Sequence, residues 1–579
     1  MKRDRLTILF PWPDSVTYRQ LSDETLHDLG IDSVCAEVTR NEKEQYLISR
    51  VLGSVTPDAR VARYRTEVFG DILSHREMRE KLMKLLDHVK FLNDYGAVHR
   101  QNDEATGLWD LLHRLDEIND YIDTVESVSA CLDDATLRSQ GLRELREGLG
   151  AIWQDSGFDG LKKDIASLKA NTDNLKSITV GINLNERFEA VSLGLVSVNA
   201  KPFTRSNILR NFSEAIIRKD QLHADTEWNG DMSFHPSTGV LDSAMTGFEG
   251  AVTRVMRVSN PLMAATMAGI PGDTGARDLP RTVDGALNNL LSVTVRKLRE
   301  VLNRHAAVSI REVADLIPEL MYYIRWAEYL EKLTAKGWQF ADAEAAGAEE
   351  APFAMEARGF YNLKLIATEP PERVVKNDLD FGPENRVYLL TGANRGGKTT
   401  VTQAIGQLFL LAQGGIRVPA ESFRYVPADG IFTHFPADED KTLDLGRLGE
   451  ECKRFRELYT ECTDQSLLLL NETFSTTSFE EGYYIAADAV RAVLDKGTRT
   501  VYNTHMHKLA KELDTLNSDA RQARALSLIV CTDGGERSFR IAVAPPEGMS
   551  YARDIAARYG VTYEELTGIA GKKQEGEQQ

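Results

Sequence analysis

The stretch Thr391-Gly392-Ala393-Asn394-Arg395-Gly396-Gly397-Lys398-Thr399-Thr400 constrains this chain more than any other. Gly392 to Thr399 fits G-x-x-x-x-G-K-[ST], a loop that works only between a strand and a helix. Both neighbours are legible. Arg386-Val-Tyr-Leu-Leu390 reads as a buried strand entering the loop, and 401–412 as a helix leaving it, stopped by Gly414-Gly415. Glycines let backbone N–H groups turn inward around phosphate oxygens, and the helix N-terminus adds a favourable dipole. The pattern predicts a nucleotide site, with Lys398 on the β- and γ-phosphates and the Thr399 hydroxyl on Mg2+.

A second half of the site follows about seventy residues later. Leu467-Leu-Leu-Leu-Asn471-Glu472 is an apolar strand ending in polar residues, where a Walker B acid pair belongs. The usual pair is Asp-Glu, one holding Mg2+ and the other orienting or deprotonating water. Here Asn471 takes the metal position without a charge, and Glu472 remains as the base. His505 closes the next strand. Position alone leaves it either a sensor of the γ-phosphate or a structural histidine.

The rest of the chain divides by hydrophobic period. From 33 to 176 apolar residues recur at three and four over 42–52, 67–90, 108–130 and 136–153, which predicts a helical bundle. The period shortens at Ser177-Ile-Thr-Val-Gly-Ile-Asn-Leu184 and over 188–198, two strands joined as a hairpin through Asn185-Glu186-Arg187. Helical periodicity returns from 282 to 335. Ala341-Asp-Ala-Glu-Ala-Ala-Gly-Ala-Glu-Glu-Ala-Pro352 reads as a linker. Strands and helices then alternate from 354, the signature of a mainly parallel sheet, with a closing hairpin at 525–531 and 538–543 and a short helix at 551–559. The fold class expected is α plus α/β.

Composition narrows the partners. A net charge of −18 argues against a generally basic nucleic-acid coat but leaves room for a local patch. Lys201, Arg205, Arg210, Arg218 and Lys219 are either a solvated face or such a patch against a phosphate backbone. No apolar run reaches membrane length and no signal peptide opens the chain, so no membrane partner is expected. The five cysteines lack C-x-x-C spacing and read as free cytosolic thiols.

Together these motifs resemble the MutS family. Gly392 to Thr399 is similar to its G-P-N-M-G-G-K-S loop, Val418-Pro-Ala-Glu-Ser422 matches V-P-A-E-S, and Leu470-Asn-Glu472 with Thr476-Thr-Ser478 resembles L-D-E…G-T-S. Thr504-His505-Met-His507-Lys-Leu509 resembles T-H-Y-H-E-L, and Ser550-Tyr-Ala-Arg-Asp-Ile-Ala-Ala-Arg558 the closing S-Y-G-I-x-V-A. They occur in the family's order over 354–570. Ala62-Arg-Tyr-Arg-Thr-Glu67 resembles the start of the family's helical core.

The resemblance implies an ABC-type ATPase using ATP and Mg2+, a cytoplasmic protein that works as a homodimer through its ATPase domains. Each nucleotide would lie between one P-loop and a partner's signature segment, here Gly446-Arg-Leu-Gly-Glu-Glu451. Asn377 fits the family's N-D element near adenine, while Val374 replaces the stacking aromatic. The implied organisation is an irregular segment over 1–30, helical core and lever over 31–176, a clamp-like β insertion over 177–270, the lever's return over 271–345, the ATPase domain over 346–570 and a disordered tail over 571–579. The family's mismatch-reading domain has no room before residue 30, and no nuclease-like extension is expected after 571. The function implied is ATP-dependent binding of duplex or branched DNA in repair or recombination, without mismatch reading. The alternative is a switch of little turnover on ribosomes or structured RNA.

Overall fold

The computed structural model describes residues 7–89, 108–199 apart from 134, 154–155, 173–176, 185 and 187–189, then 296 and 299–301, and 316–567 apart from 350, 352–353, 393–395, 437–445, 476–477, 534–535, 547–558 and 564. The helix expected at 551–559, the tail after 571 and the basic residues Lys201, Arg205, Arg210, Arg218 and Lys219 lie outside the described residues, save Tyr559. The chain forms two compact units. The first comprises 1–86, 131–147 and 315–579, the second 87–130 and 148–314.

The first unit begins with β1 (Arg19–Gln20), α1 (Asp23–Asp28), α2 (Ile31–Val38), α3 (Glu42–Leu52), β2 (Ser54–Val55), α4 (Ala59–Ser74) and α5 (Arg76–Val89). Residues 7–30 are therefore not irregular throughout. Ser22 caps α1 by accepting from the Thr25 N–H at 3.1 Å, a side-chain device that starts even a six-residue helix. The single helix expected over 67–90 is two, divided at His75. Side chains on either side of the break make long-range or carbonyl contacts. Arg79 donates to the freed carbonyls of Ile72 and Leu73 at 3.2 and 3.1 Å. Asp71 accepts from the N–H groups of Arg138 and Ser139 at 2.9 and 2.7 Å, where α7 (Gln140–Trp153) begins.

Helix α6 (Leu108–Asp133) precedes α7, and α8 (Ser156–Thr172) follows it. In the second unit, α6 buries Leu111, Leu115, Ile118, Ile122 and Val125, the three–four stripe that its sequence carries. Lys162 of α8 pairs with Glu126 of α6 at 2.8 Å. The expected hairpin forms: β3 (Ser177–Leu184) pairs antiparallel with β4 (Ala190–Asn199).

The chain returns to the first unit through α9 (Leu316–Thr334), whose buried Glu319 accepts from the N–H groups of Ile8 and Leu9 at 2.6 and 3.0 Å. The segment read as a linker contains a strand instead. In it, β5 (Ala343–Ala345) joins a four-stranded sheet with β6 (Met355–Phe360), β7 (Asn377–Phe381) and β9 (Ser422–Tyr425), in the order β5-β9-β6-β7. Its alanines form a strand because β9 offers a parallel partner, which composition does not reveal.

The central sheet takes β8 (Asn385–Thr391), β10 (Ile431–His434), β11 (Leu467–Asn471), β12 (Arg499–Asn503), β13 (Arg524–Asp533) and β14 (Glu536–Val543), in the order β10-β11-β12-β8-β13-β14. All pairings are parallel except β13 with β14. Every residue of β11 and β12 is buried, as parallel strands covered on both faces require. One face, with Leu468, Leu470 and Tyr502, packs into a core with α12 (Phe479–Lys496), α13 (His507–Lys511) and α14 (Leu513–Ser518). Leu469 faces α10 (Lys398–Gln413), which meets the sheet so closely that a Cβ at Gly406 would stand 3.0 Å from Leu469 Cδ1 and 2.5 Å from Leu29 Cδ2. The N-terminal segment thus covers α10. Gln403 and Gln407 of α10 donate to the carbonyls of Asp28 and Leu29 at 2.7 and 2.9 Å. Arg65, fully buried, ties the carbonyls of Leu9 and Gln413 together at 2.6 and 2.7 Å. Helix α11 (Gly446–Glu461) packs against β10.

Candidate functional site

The C-terminal ends of β8, β11 and β12 and the N-terminus of α10 meet beside a cleft of 870 Å³. The loop after β8 turns through Gly392 at φ +144° and Gly397 at φ +89°, conformations that favour glycine. Space demands glycine as well, since a Cβ at Gly392 would lie 3.0 Å from Val530 Cβ. Of the expected loop residues, Gly396, Gly397, Lys398, Thr399 and Thr400 line the cleft, while Ala393, Asn394 and Arg395 lie outside the described residues.

Lys398 is 5% exposed, and its ammonium donates to the loop carbonyl of Gly392 at 3.0 Å. Burial lowers its pKa from 10.5, and the Glu472 carboxylate acts against that shift. Next to it, the Thr399 hydroxyl donates to Asn471 Oδ1 at 3.1 Å. The structure adds a residue here that sequence reasoning did not single out. Asn503 pairs with Asn471 across β11 and β12, and its amide N–H group donates both to Asn471 Oδ1 and, at 3.4 Å, to Thr399 Oγ1.

Glu472 and His505, expected from separate strand ends, come together at 2.7 Å between Oε1 and Nε2, and both line the cleft. Glu472 adopts φ +54° and Phe474 φ +63°, left-handed conformations that a side chain other than glycine takes only when its surroundings hold it. Those restraints are visible. The Glu472 N–H donates to Asn503 O at 2.8 Å, and the Thr473 carbonyl accepts from the Tyr502 hydroxyl at 2.6 Å. The Thr473 hydroxyl reaches His434 Nδ1 at 3.1 Å. His434 is 2% exposed. Its other nitrogen, Nε2, faces the Glu451 carbonyl at 3.3 Å and so must be the donor, leaving Nδ1 to accept from Thr473. Burial and the Arg454 cation push the His434 pKa down to about 4.

Asn377 reaches the cleft wall, but its amide is engaged with strand β14: it donates to Phe539 O at 3.2 Å and accepts from the Ile541 N–H at 2.8 Å. It holds in place Phe539, a 45% exposed cleft aromatic at φ +57° whose Cδ1 lies 3.3 Å from a Cβ built on Gly397. No motif announces Phe539, because its place depends on the β13–β14 register. Val374 lines the same cleft. Gly446 begins α11 and is not among the cleft-lining residues. The described cysteines are free, and no helix among the described residues is long and apolar enough to cross a membrane. The arrangement joins a glycine loop, a buried lysine, three neutral oxygen-bearing side chains and a carboxylate–imidazole pair.

Two family models match this chain. Residues 388–561 match MutS domain V, and residues 57–336 match the MutS2 N-terminal domain. A DNA mismatch repair protein MutS from Caldanaerobacter subterraneus subsp. tengcongensis is 30% identical over 198 residues, which is 32% of this chain and 23% of that protein. The DNA mismatch repair protein MutS of Chlorobaculum tepidum is 32% identical, over 34% of this chain and 24% of its own length. An Endonuclease MutS2 from Brevibacillus brevis is 27% identical over 286 residues, 49% of this chain and 35% of that protein. The chain thus spans about a quarter to a third of the length of these curated relatives.

Proposed function

This chain belongs to the MutS family, and we propose from that premise that it is an ATP-dependent DNA-binding ATPase of repair or recombination. The observation that carries the chemistry is the Glu472–His505 pair at 2.7 Å in the same cleft as Lys398 and Thr399. Lys398 would exchange the Gly392 carbonyl for the β- and γ-phosphates, whose negative charge would offset the desolvation that now lowers its pKa. Glu472, held at its left-handed position, would orient and deprotonate the attacking water. His505 holds that carboxylate at 2.7 Å and would meet the γ-phosphate.

The donor set beside Thr399 fits a magnesium ion of low charge demand. Thr399 and Asn471 supply neutral oxygens, so the triphosphate must supply the charge. Bound there, Mg2+ would neutralise charge on the transferring phosphoryl group. The missing carboxylate at Asn471 favours slow turnover, and a switch that holds ATP for long periods is the second reading.

The match of residues 57–336 to the MutS2 N-terminal domain supports a protein that grips nucleic acid by shape and backbone without reading mismatches. The protein would be cytoplasmic and would dimerise through its ATPase portions, Gly446 contributing to the partner's site; light scattering of Glu472→Gln with Mg-ATP should show the dimer, and a monomer contradicts it. Titrations of labelled homoduplex, G·T-mismatch and junction DNA, with ATP trapped by Glu472→Gln, test the rest. Binding should weaken steeply with salt, each neutralised phosphate adding about 0.9 to the log–log slope on duplex DNA. A strong mismatch preference contradicts this reading. No DNA binding at any salt favours ribosomes or structured RNA instead.

A further inference from the structure

Asn503 carries a polar atom that the fold leaves without a partner. The residue is 1% exposed, its amide N–H group donates to Asn471 Oδ1 and Thr399 Oγ1, and its Oδ1 accepts from nothing among the described residues. A buried amide oxygen without a donor is costly, and a fully packed sheet rarely retains one. The residue is not loose. Its backbone is in register with Asn471 on one side and Leu390 on the other, and its carbonyl takes the Glu472 N–H at 2.8 Å. The orphan oxygen therefore belongs to a side chain fixed between the phosphate loop and the strand that ends in Asn471.

The two ends of an amide exchange by rotation about one bond, and the hydrogen-bond network decides which is favoured. With the amide turned over, Oδ1 would replace Nδ2 and face Asn471 Oδ1 and Thr399 Oγ1. The Thr399 hydroxyl brings the one proton there and donates it to Asn471 Oδ1, so the turned Asn503 oxygen would face Asn471 Oδ1 with no donor between them unless a cation joins them. Hard divalent cations take oxygen ligands of this kind, amide carbonyl and hydroxyl included.

We infer that Thr399, Asn471 and Asn503 form a charge-neutral cradle for the divalent cation that accompanies the nucleotide, with Asn503 Oδ1 as the added donor. The inference rests on the nucleotide reading of the cleft. The cradle has two states. Without metal, the Asn503 N–H group satisfies Asn471 and Thr399. With metal, the amide turns and its oxygen joins theirs. Because no member is charged, the cradle holds a cation only when phosphate oxygens complete the site, so metal and nucleotide bind as one unit.

The test uses the full-length protein, Mn2+ as a paramagnetic probe and a non-hydrolysable ATP analogue with a fluorescent label. Nucleotide affinity is measured in EDTA by fluorescence, and bound Mn2+ by electron paramagnetic resonance, for wild type, Asn503→Leu and Asn503→Asp. Wild type should retain Mn2+ only with the analogue present. Asn503→Leu should bind the analogue in EDTA as wild type does, yet lose roughly tenfold or more in Mn2+ affinity of the nucleotide complex. Asn503→Asp should melt at a lower temperature without metal, since its carboxylate faces Asn471 Oδ1, and should bind Mn2+ more tightly than wild type with the analogue. This second variant keeps the side-chain shape and guards against a folding defect in the first. Tight Mn2+ binding by wild type without nucleotide would overturn the neutral cradle. So would equal losses of affinity in EDTA and in Mn2+ for Asn503→Leu, which mark a residue that only packs the loop. Failure of wild type to bind the analogue under both conditions is a separate result, which removes the nucleotide reading and the cradle with it.

Discussion

Glu472 Oε1 lies 2.7 Å from His505 Nε2, and Glu472 makes that contact from φ +54°. The carboxylate and the imidazole come from the ends of adjacent parallel strands, β11 and β12, whose register places Asn471 beside Asn503. The left-handed turn then swings Glu472 toward the residue two beyond Asn503. A carboxylate held this way would lose little freedom on binding a ligand.

Glu472→Gln should therefore bind ATP with near wild-type affinity and lose hydrolysis by roughly a hundredfold to ten-thousandfold. The amide keeps the shape and the contact to His505 but cannot take a proton. Single-turnover hydrolysis beside equilibrium binding separates the two effects. Intact hydrolysis removes Glu472 from the role of base.

Asn471→Asp should raise hydrolysis and tighten Mg2+ in the nucleotide complex, on the order of tenfold. The site accommodates the change without rearrangement, because both groups on Asn471 Oδ1, the Thr399 hydroxyl and the Asn503 N–H group, are donors. Magnesium titration of ATPase activity checks it. Slower hydrolysis in Asn471→Asp means that the neutral oxygen has a purpose other than restraint of turnover.

The two stretches that line the cleft were legible in the sequence because they rest on local rules. The glycine loop between strand and helix, and an apolar strand ending in Asn471-Glu472, follow from neighbours along the chain. What was not legible depends on register and tertiary partners. Asn503 and His434 matter through residues elsewhere in the fold, Asn471 on the neighbouring strand and Thr473 in the turn after it, and spacing along one strand does not say what lies across from it. The strand at Ala343–Ala345 exists because β9 pairs with it. At the helix break at His75, Arg79 takes the carbonyls of Ile72 and Leu73 from farther along the chain. Residues 7–30 carry few apolar positions in a row, yet they cover α10 through backbone carbonyls that any sequence would present.

His434 should make stability fall in mild acid. Its pKa is about 4 in the fold against an ordinary 6.5, so the unfolded chain binds the proton first. Its contribution is complete above pH 6.5 and is lost as pH falls from there toward 4, by at most about 3 kcal/mol. Urea unfolding of the wild type and of His434→Gln between pH 4 and pH 8 reads this directly. The variant should show a shallower loss below pH 6.5, since glutamine donates and accepts without titrating. Equal pH dependence in the two proteins would mean that another group sets the acid limit.

ATP binding in this cleft should depend on Lys398. The most direct measurement is calorimetric titration of Mg-ATP into wild type and Lys398→Ala, both checked for an unchanged fold. Lys398 is buried beside the glycine loop with its ammonium on the Gly392 carbonyl, where a phosphate oxygen can take that carbonyl's place. The account predicts saturable binding by wild type and no measurable heat from Lys398→Ala. Equal affinity in the two proteins would contradict it.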